Sequence, residues 1–190
     1  MARSLGNFIT LDQLFSGNHP VLNQAYSPMT IRFFILQAHY RSTLDFSNIA
    51  LQAAEKGYQR LMNALKLLPG LKTGDKSSFN LEELKTGIYD AMNDDFNTPV
   101  AIAQLFETAR IINSINDGKD SITANDKEDL QKLLSAFVFD VLGLKEESGE
   151  GSDKIEGLMN LVLELRKDVR AKKDFAASDK IRDELQKIGI

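Results

Sequence analysis

The chain contains 190 residues, of which 43% are hydrophobic and 26% are charged, a balance that is ordinary for a globular domain. It contains no cysteine, which excludes disulfide bonds, a thiolate nucleophile and any cysteine-ligated metal site. No apolar run approaches the roughly 18 residues that a membrane-spanning helix needs, and no signal peptide is visible. We therefore expect a cytoplasmic protein without a membrane partner. His19 and His39 are its only histidines, and no metal site is predicted.

The net charge of −4 is distributed unevenly along the chain. Residues 1–68 contain six Lys or Arg and three Asp or Glu, a net charge of +3. Residues 69–163 contain nine Lys or Arg and eighteen Asp or Glu, a net charge of −9. Residues 164–190 contain eight Lys or Arg and six Asp or Glu, a net charge of +2. Basic ends that flank an acidic middle fit a partner that is contacted at two places, although solvated helix faces give the same imbalance.

The first half of the chain predicts two helices. Ser27 supplies an N-cap and Pro28 the first helical position, and apolar residues then recur at helical spacing to about residue 38. The segment HYRSTLDFS interrupts this helix. Ser47 then caps a second helix, which runs to about Leu68 and ends at a Pro-Gly pair.

The second half continues the helical period, with apolar residues three and four positions apart. Asn97 or Thr98 is predicted to cap one of its helices, with Pro99 at the first helical position. The polar, Gly/Ser-rich stretch 145–153 predicts a flexible linker. No strand pattern longer than a few residues occurs, so the sequence predicts an all-α, antiparallel helical bundle. The helices of this half are predicted at about 81–92, 100–115, 123–143, 154–172 and 175–188.

Four segments contain more polar residues than a helical scaffold needs: MARSLGNFIT at the start, AHYRSTLDFS at 38–47, MNDDFNTP at 92–99 and KKDFAASDKIRDEL at 172–185. Each also has a purely structural explanation. Asp45 and Ser47 can cap the following helix. Phe96 can act as a hydrophobic staple beside a helix cap, and Asp94 and Asp95 carry charge that suits a helix N-terminus.

Taken together and in this order, the four segments resemble the C-terminal half of cysteinyl-tRNA synthetase, a class I aminoacyl-tRNA synthetase. MARSLGNFIT is similar to the KMSKS-type signature loop of that family with its Leu-Gly-Asn-Phe continuation. HYRSTLDFS and DDFNTP form the most diagnostic pair. The resemblance implies a signature loop and stem-contact region over 1–46 and a helical, anticodon-binding-type bundle over 47–190. It also implies that the Rossmann-type catalytic domain, which precedes the loop in the family, is absent.

The resemblance further implies an ATP-binding role for the signature loop, whose position is held by Met1, Ala2, Arg3 and Ser4. Arg3 stands where the family has its second lysine, and Ala2 stands where it has a serine. ATP and a cysteine-selecting zinc ion belong to the full-length enzyme, which ligates cysteine to its tRNA. We expect no cofactor in this chain, no ATP binding by it and no activity from it alone.

The implied partner is the tRNA for cysteine. Arg41 lies where the family passes from the catalytic fold into the bundle, while Arg166, Arg170 and Lys173 share one face of a predicted helix and are candidates to bind phosphates. A solvated helix exterior explains the same cations. We expect a monomer. Two other functions stay open, namely a helical protein-interaction module and part of a paralogous enzyme that ligates cysteine to a sugar amine.

Overall fold

The computed structural model describes residues 8–44, 46–147, 161–167, 169–170, 174–175 and 177–181. The chain divides into two compact units, Met1–Glu146 and Glu147–Ile190. The predicted division after residue 46 stays a prediction. The described residues of the first unit form six α-helices: α1 (Leu11–Ser16), α2 (Pro28–Leu36), α3 (Asn48–Leu67), α4 (Leu81–Asn93), α5 (Thr98–Asn116) and α6 (Ala124–Leu134).

The predicted all-α fold is confirmed, because no strand occurs in the described ranges. The parallel sheet of a Rossmann-type domain is accordingly not found in this part of the chain. None of the described helices is long and apolar enough to cross a membrane.

Local sequence signals place most helix starts where they were predicted. Ser27, Ser47 and Thr123 each accept a hydrogen bond from the backbone N–H three residues later, at 3.0, 3.2 and 3.1 Å, which satisfies one of the free N–H groups of the first turn. The start of α5 differs from the prediction. Asn97 is its N-cap without a side-chain hydrogen bond, and Pro99 occupies the second helical position rather than the first.

The short helix α1 is a feature that the sequence prediction lacks. Thr10 and Gln13 form a capping box, in which the Thr10 hydroxyl accepts from the backbone of Gln13 and the Gln13 side chain accepts from the backbone of Thr10. Gly17 ends the helix at φ +71°, and a Cβ there would lie 2.7 Å from the backbone nitrogen of Ala25. Both the dihedral angle and the close approach therefore require glycine.

The core of the first unit forms where α2, α3 and α5 meet. Phe33, Leu51 and Leu105, one from each of these helices, have no exposed surface. The rings of Phe33 and Phe106 meet edge to face, with their centroids 6.1 Å apart. Gly57 on α3 lies between these two rings, and a Cβ at this position would be 3.2 Å from each of them. The absence of a side chain at Gly57 thus allows the three helices to pack closely.

The helix predicted over 123–143 changes its hydrogen-bonding pattern part of the way along. The α-helical geometry of α6 gives way to a π-helical segment, Ser135–Val141. Gly143 follows at φ +61°, and a Cβ there would lie 2.7 Å from a guanidinium nitrogen of Arg32. The left-handed conformation of the turn after this segment therefore favours glycine, whereas the flexible end of the Arg32 side chain could move aside for a Cβ.

The second unit is helical at residues 161–167 and 177–181, inside two of the predicted helices. Ser178 is buried, with 3% of its surface exposed. Three leucines of the first of these helical stretches are about half exposed, namely Leu161, Leu163 and Leu165.

Candidate nucleic-acid interface

Two of the four polar segments meet in the structure, although 55 positions separate them in sequence. The Tyr40 hydroxyl donates a hydrogen bond to Oδ1 of Asp95 at 2.7 Å. Nη1 of Arg41 lies 3.2 Å from the other carboxylate oxygen of Asp95. The segments HYRSTLDFS and DDFNTP are therefore joined by a hydrogen bond and an ion pair to the same carboxylate.

The turn after α2 arranges the three residues that face Asp95. The Ser42 N–H donates to the His39 carbonyl at 2.8 Å, which closes the turn. The rings of His39 and Tyr40 stack with their centroids 4.8 Å apart, and the Arg41 guanidinium lies 5.3 Å from the Tyr40 ring centroid, within range of a cation–π interaction. His39, Tyr40 and Arg41 thus form a contiguous group rather than three independent side chains.

The turn between α4 and α5 projects Asp95 toward this group. Asp95 and Phe96 have φ values of 55° and 53°, in the left-handed region that non-glycine residues seldom adopt. Backbone hydrogen bonds hold the turn; among them, the Phe96 N–H donates to the Met92 carbonyl at 3.1 Å and the Asn97 N–H donates to the Ala91 carbonyl at 3.0 Å. Left-handed conformations of this kind cost on the order of 1–3 kcal/mol each and cluster at functional sites.

The sequence prediction of Phe96 as a hydrophobic staple is wrong. A staple packs its side chain against the first turns of the helix, whereas 67% of Phe96 is exposed. The left-handed backbone at Phe96 accompanies this outward placement. The charge of Asp95 is likewise directed to Tyr40 and Arg41.

The Asp95 carboxylate changes the acidity of its neighbour. Its hydrogen bond from the Tyr40 hydroxyl, followed by desolvation and by the negative charge of Asp95, raises the pKa of Tyr40. Arg41 remains accessible, because 69% of its side chain is exposed, against 40% for Asp95. An exposed ion pair of this kind contributes only about 0–1 kcal/mol, so an incoming anion can compete with Asp95 for Arg41.

Other cations of the first unit differ in whether a carboxylate neutralises them. Arg110 binds Glu107 through two nitrogens, and Lys132 contacts both Glu128 and Asp129. Arg60 instead lies 5.7 Å from the ring centroid of Phe106. Among the ion pairs between described residues, none includes Arg60. No carboxylate of the described residues therefore lies within ion-pair distance of Arg60.

The basic stretch of the second unit is described in part. Arg170 is exposed, whereas Arg166 is partly buried and its Nε atom is buried without a hydrogen-bond partner. Arg166 and Arg170 therefore differ in exposure, and their role as phosphate contacts stays a prediction. Lys173 lies outside the described residues.

The predicted ATP-binding residues Met1, Ala2, Arg3 and Ser4 also lie outside the described residues. Within the described ranges, no group of three or more His, Cys, Asp or Glu side chains could hold a metal ion, and the whole chain contains no cysteine. The described residues thus do not fit the zinc site that the family resemblance implies for the full-length enzyme.

Comparison with known proteins shows what this chain is similar to. Residues 87–146, which include most of α4, the Asp95 turn, α5 and α6, match the DALR domain. The whole chain is 54% identical to the cysteine–tRNA ligases of Porphyromonas gingivalis and Bacteroides thetaiotaomicron, and 43% identical to that of Chlorobaculum tepidum. It covers 39%, 40% and 39% of these proteins, respectively, and so spans about two fifths of their length.

Proposed function

We propose that this chain, which is homologous to the C-terminal region of cysteine–tRNA ligases and contains their DALR domain, forms the tRNA-binding part of such an enzyme. The whole enzyme would ligate cysteine to its tRNA and consume ATP. The observation that carries the proposal is the 54% identity, which extends over all of this chain. That these relatives are cysteine–tRNA ligases favours tRNA charging over a sugar-amine ligase or a free-standing interaction module.

The chain by itself is proposed to be inactive. ATP would be bound by a signature loop at Met1–Ser4 together with parts of the enzyme outside this chain, and zinc would be held elsewhere. The remaining expectations belong to the same proposal: a stem-contact region over 1–46, a helical bundle over 47–190, a monomeric state and a cytoplasmic location.

Arg41 is the proposed phosphate contact of the first unit. Its guanidinium is exposed and lies over the Tyr40 ring, which orients it, so less side-chain freedom is lost when a phosphate binds. Two oxygens of a phosphate can also accept parallel hydrogen bonds from the planar guanidinium. Tyr40 and His39 orient Arg41 in this proposal.

Arg166, Arg170 and Lys173 are the proposed phosphate contacts of the second unit. The observation that supports them is the excess of cations at this end of the sequence, together with the exposure of Arg170. The acidic middle of the chain, with a net charge of −9 over residues 69–163, opposes RNA binding by simple charge attraction. Binding must therefore depend on particular cations rather than on net charge.

A salt titration of tRNA binding tests the proposal. The probe is an unmodified transcript of the tRNA for cysteine, and the protein is the 190-residue chain. We expect the triple substitution Arg166→Ala, Arg170→Ala and Lys173→Ala to lower the affinity and to reduce the salt slope by about one unit for each phosphate that the variant no longer binds. The matched control replaces Lys85, Lys119 and Lys132 with alanine, which removes the same charge from the acidic middle.

The two triple variants separate specific contacts from a general charge effect. An equal loss of affinity and slope in both variants would contradict the assignment of Arg166, Arg170 and Lys173. Failure of the unmodified chain to bind the transcript at low salt would contradict the proposed function as a whole.

A further inference from the structure

Phe96 is a large apolar side chain in an unfavourable position. Its exposed fraction is 67%, and its backbone has φ +53° directly after Asp95 at +55°. None of the ring–ring or cation–π contacts between described residues includes Phe96. Burial in the protein therefore does not explain why a phenylalanine occupies this position.

The conformation of the turn does not call for phenylalanine either. Glycine adopts a left-handed backbone without strain, and asparagine and aspartate adopt it more readily than other residues do. A bulky residue at positive φ is an outlier, and outliers of this kind cluster at functional sites. The position thus combines backbone strain with apolar exposure, which are both unfavourable for folding.

The neighbours of Phe96 indicate the chemistry of a ligand. Asp95, the preceding residue, pairs with the exposed guanidinium of Arg41, so the turn brings an open aromatic ring and a cation to the same region. Proteins that bind single-stranded nucleic acid combine these two groups, with the ring stacking on a base and the cation contacting the backbone. Asp90, near the end of α4, and Asp94, at the start of the turn, are also exposed, and they repel a phosphate but not an uncharged base.

We infer that Phe96 stacks on an unpaired nucleobase of the bound RNA, while Arg41 contacts an adjoining phosphate. The inference rests on the proposed function, because it names the group of the tRNA that this part of the interface contacts. The tyrosine ring nearby is less suitable for the same role, since His39 already stacks on Tyr40 and Arg41 lies over its ring.

A single-tryptophan variant tests the stack directly. The chain has no tryptophan, so Phe96→Trp places the only indole at the proposed stacking position. We expect saturable quenching of its fluorescence by the tRNA transcript, with affinity within about twofold of the unmodified chain, because indole also stacks on bases. The control is Phe139→Trp, in the π-helical segment, where 38% of the phenylalanine is exposed and no stacking is expected.

Removal of the ring gives a second measurement. We expect Phe96→Leu and Phe96→Gly to weaken tRNA binding roughly tenfold, the effect of removing one base–aromatic stack. Phe96→Gly should also unfold at a temperature at least as high as that of the unmodified chain, because glycine relieves the left-handed strain. The control Phe139→Leu should bind the tRNA transcript with an affinity within about twofold of that of the unmodified chain.

Each outcome decides between the alternatives. Binding by the unmodified chain, with unchanged affinity in Phe96→Leu and no quenching in Phe96→Trp, overturns the inference and leaves the proposed function intact. No binding by the unmodified chain overturns both. A lower unfolding temperature in Phe96→Gly would show that Phe96 stabilises the fold. This result would contradict the inference that Phe96 serves RNA binding although its position destabilises the fold.

Discussion

The Asp95 carboxylate accepts a hydrogen bond from the Tyr40 hydroxyl at 2.7 Å, and this bond is the largest of the effects that raise the pKa of Tyr40 above its ordinary value of 10.0. We expect Asp95→Asn to lower the pKa of Tyr40, because a neutral amide stabilises the protonated hydroxyl less than a carboxylate does. The measurement is an NMR titration of the Tyr40 ring. Asp94→Asn is the control, since the Tyr40 hydroxyl bonds to Asp95 and not to Asp94, and it should leave this titration unchanged.

The same bond gives a pH dependence of stability. The pKa of Tyr40 is raised in the folded chain, so the stabilisation is fully present below the ordinary tyrosine pKa and is lost as the pH rises through the folded value. Unfolding by urea between neutral pH and alkaline pH should therefore show a steeper loss of stability in the unmodified chain than in Asp95→Asn. Equal losses in the two proteins would contradict a Tyr40–Asp95 bond in solution.

Asp120 anchors the loop between α3 and α4 to the turn after α5. Its carboxylate accepts hydrogen bonds from Ser114 and from Ser78, and these bonds lower its pKa, the one from Ser114 most. The pH dependence of this stabilisation is opposite to that of the Tyr40–Asp95 bond. The stabilisation is present above the ordinary carboxyl pKa of 3.8 and is lost as the pH falls through the lower pKa of the folded chain.

We therefore expect Asp120→Asn to lower the unfolding temperature at neutral pH, and we expect the difference from the unmodified chain to shrink as the solution is acidified below the folded pKa. Asp117→Asn is the matched control, because Asp117 pairs with the exposed Lys119 and not with the loop. A difference that persists unchanged in acid would show that Asp120 does not act through its negative charge.

Gly57 lies on α3 between two aromatic rings of the core. A Cβ there would be 3.2 Å from both Phe33 and Phe106, and Phe33 is completely buried, so it has little room to move. Alanine gains about 1 kcal/mol of helix propensity over glycine, whereas overpacking of a core costs about 1–3 kcal/mol. We expect Gly57→Ala to lower the free energy of unfolding by roughly 1 kcal/mol, measured by urea denaturation.

Gly70 provides the comparison for this substitution. A Cβ at Gly70 would meet no atom within 4 Å, and its φ is not in the left-handed region. Gly70→Ala should therefore leave the free energy of unfolding unchanged or raise it by about 0.4–1 kcal/mol. If Gly57→Ala were as stable as Gly70→Ala, the close packing of α3 against α2 and α5 would be wrong.

The parts of the fold that depend on residues close together in sequence were predictable. The caps at Ser27, Ser47 and Thr123 and the all-α class follow from short-range signals, namely a hydroxyl before an apolar period. The helix α1 had such a signal in Thr10 and Gln13, but six residues give too short a period to recognise. No local sequence pattern predicts the π-helical geometry of Ser135–Val141, because this geometry depends on how the segment packs.

The candidate interface was predictable only as separate segments. The sequence singles out Tyr40, Arg41 and Asp95, but the Tyr40–Asp95 bond spans 55 positions, and spacing along the chain does not reveal such a pair. The role predicted for Phe96 was wrong for a related reason. A residue before a helix cap usually packs inward, and the left-handed turn that directs Phe96 outward is set by the junction of α4 and α5.

The ion pair between Arg41 and Asp95 allows a test in which two substitutions have opposite effects on RNA binding. Arg41→Ala should weaken binding of the tRNA transcript and reduce the salt slope by about one unit, because the variant binds one phosphate fewer. It should change the free energy of unfolding by no more than about 0.5 kcal/mol, since the side chain is 69% exposed.

Asp95→Asn should instead tighten binding, because it removes a negative charge that competes with the phosphate for Arg41. In the Arg41→Ala background the same substitution should have a smaller effect, because only the general repulsion of the RNA remains to be relieved. A double-mutant cycle at two salt concentrations measures this coupling directly. If Arg41→Ala left the affinity and slope unchanged, or if Asp95→Asn weakened binding equally in both backgrounds, Arg41 would serve only to hold the two segments together and not to contact RNA.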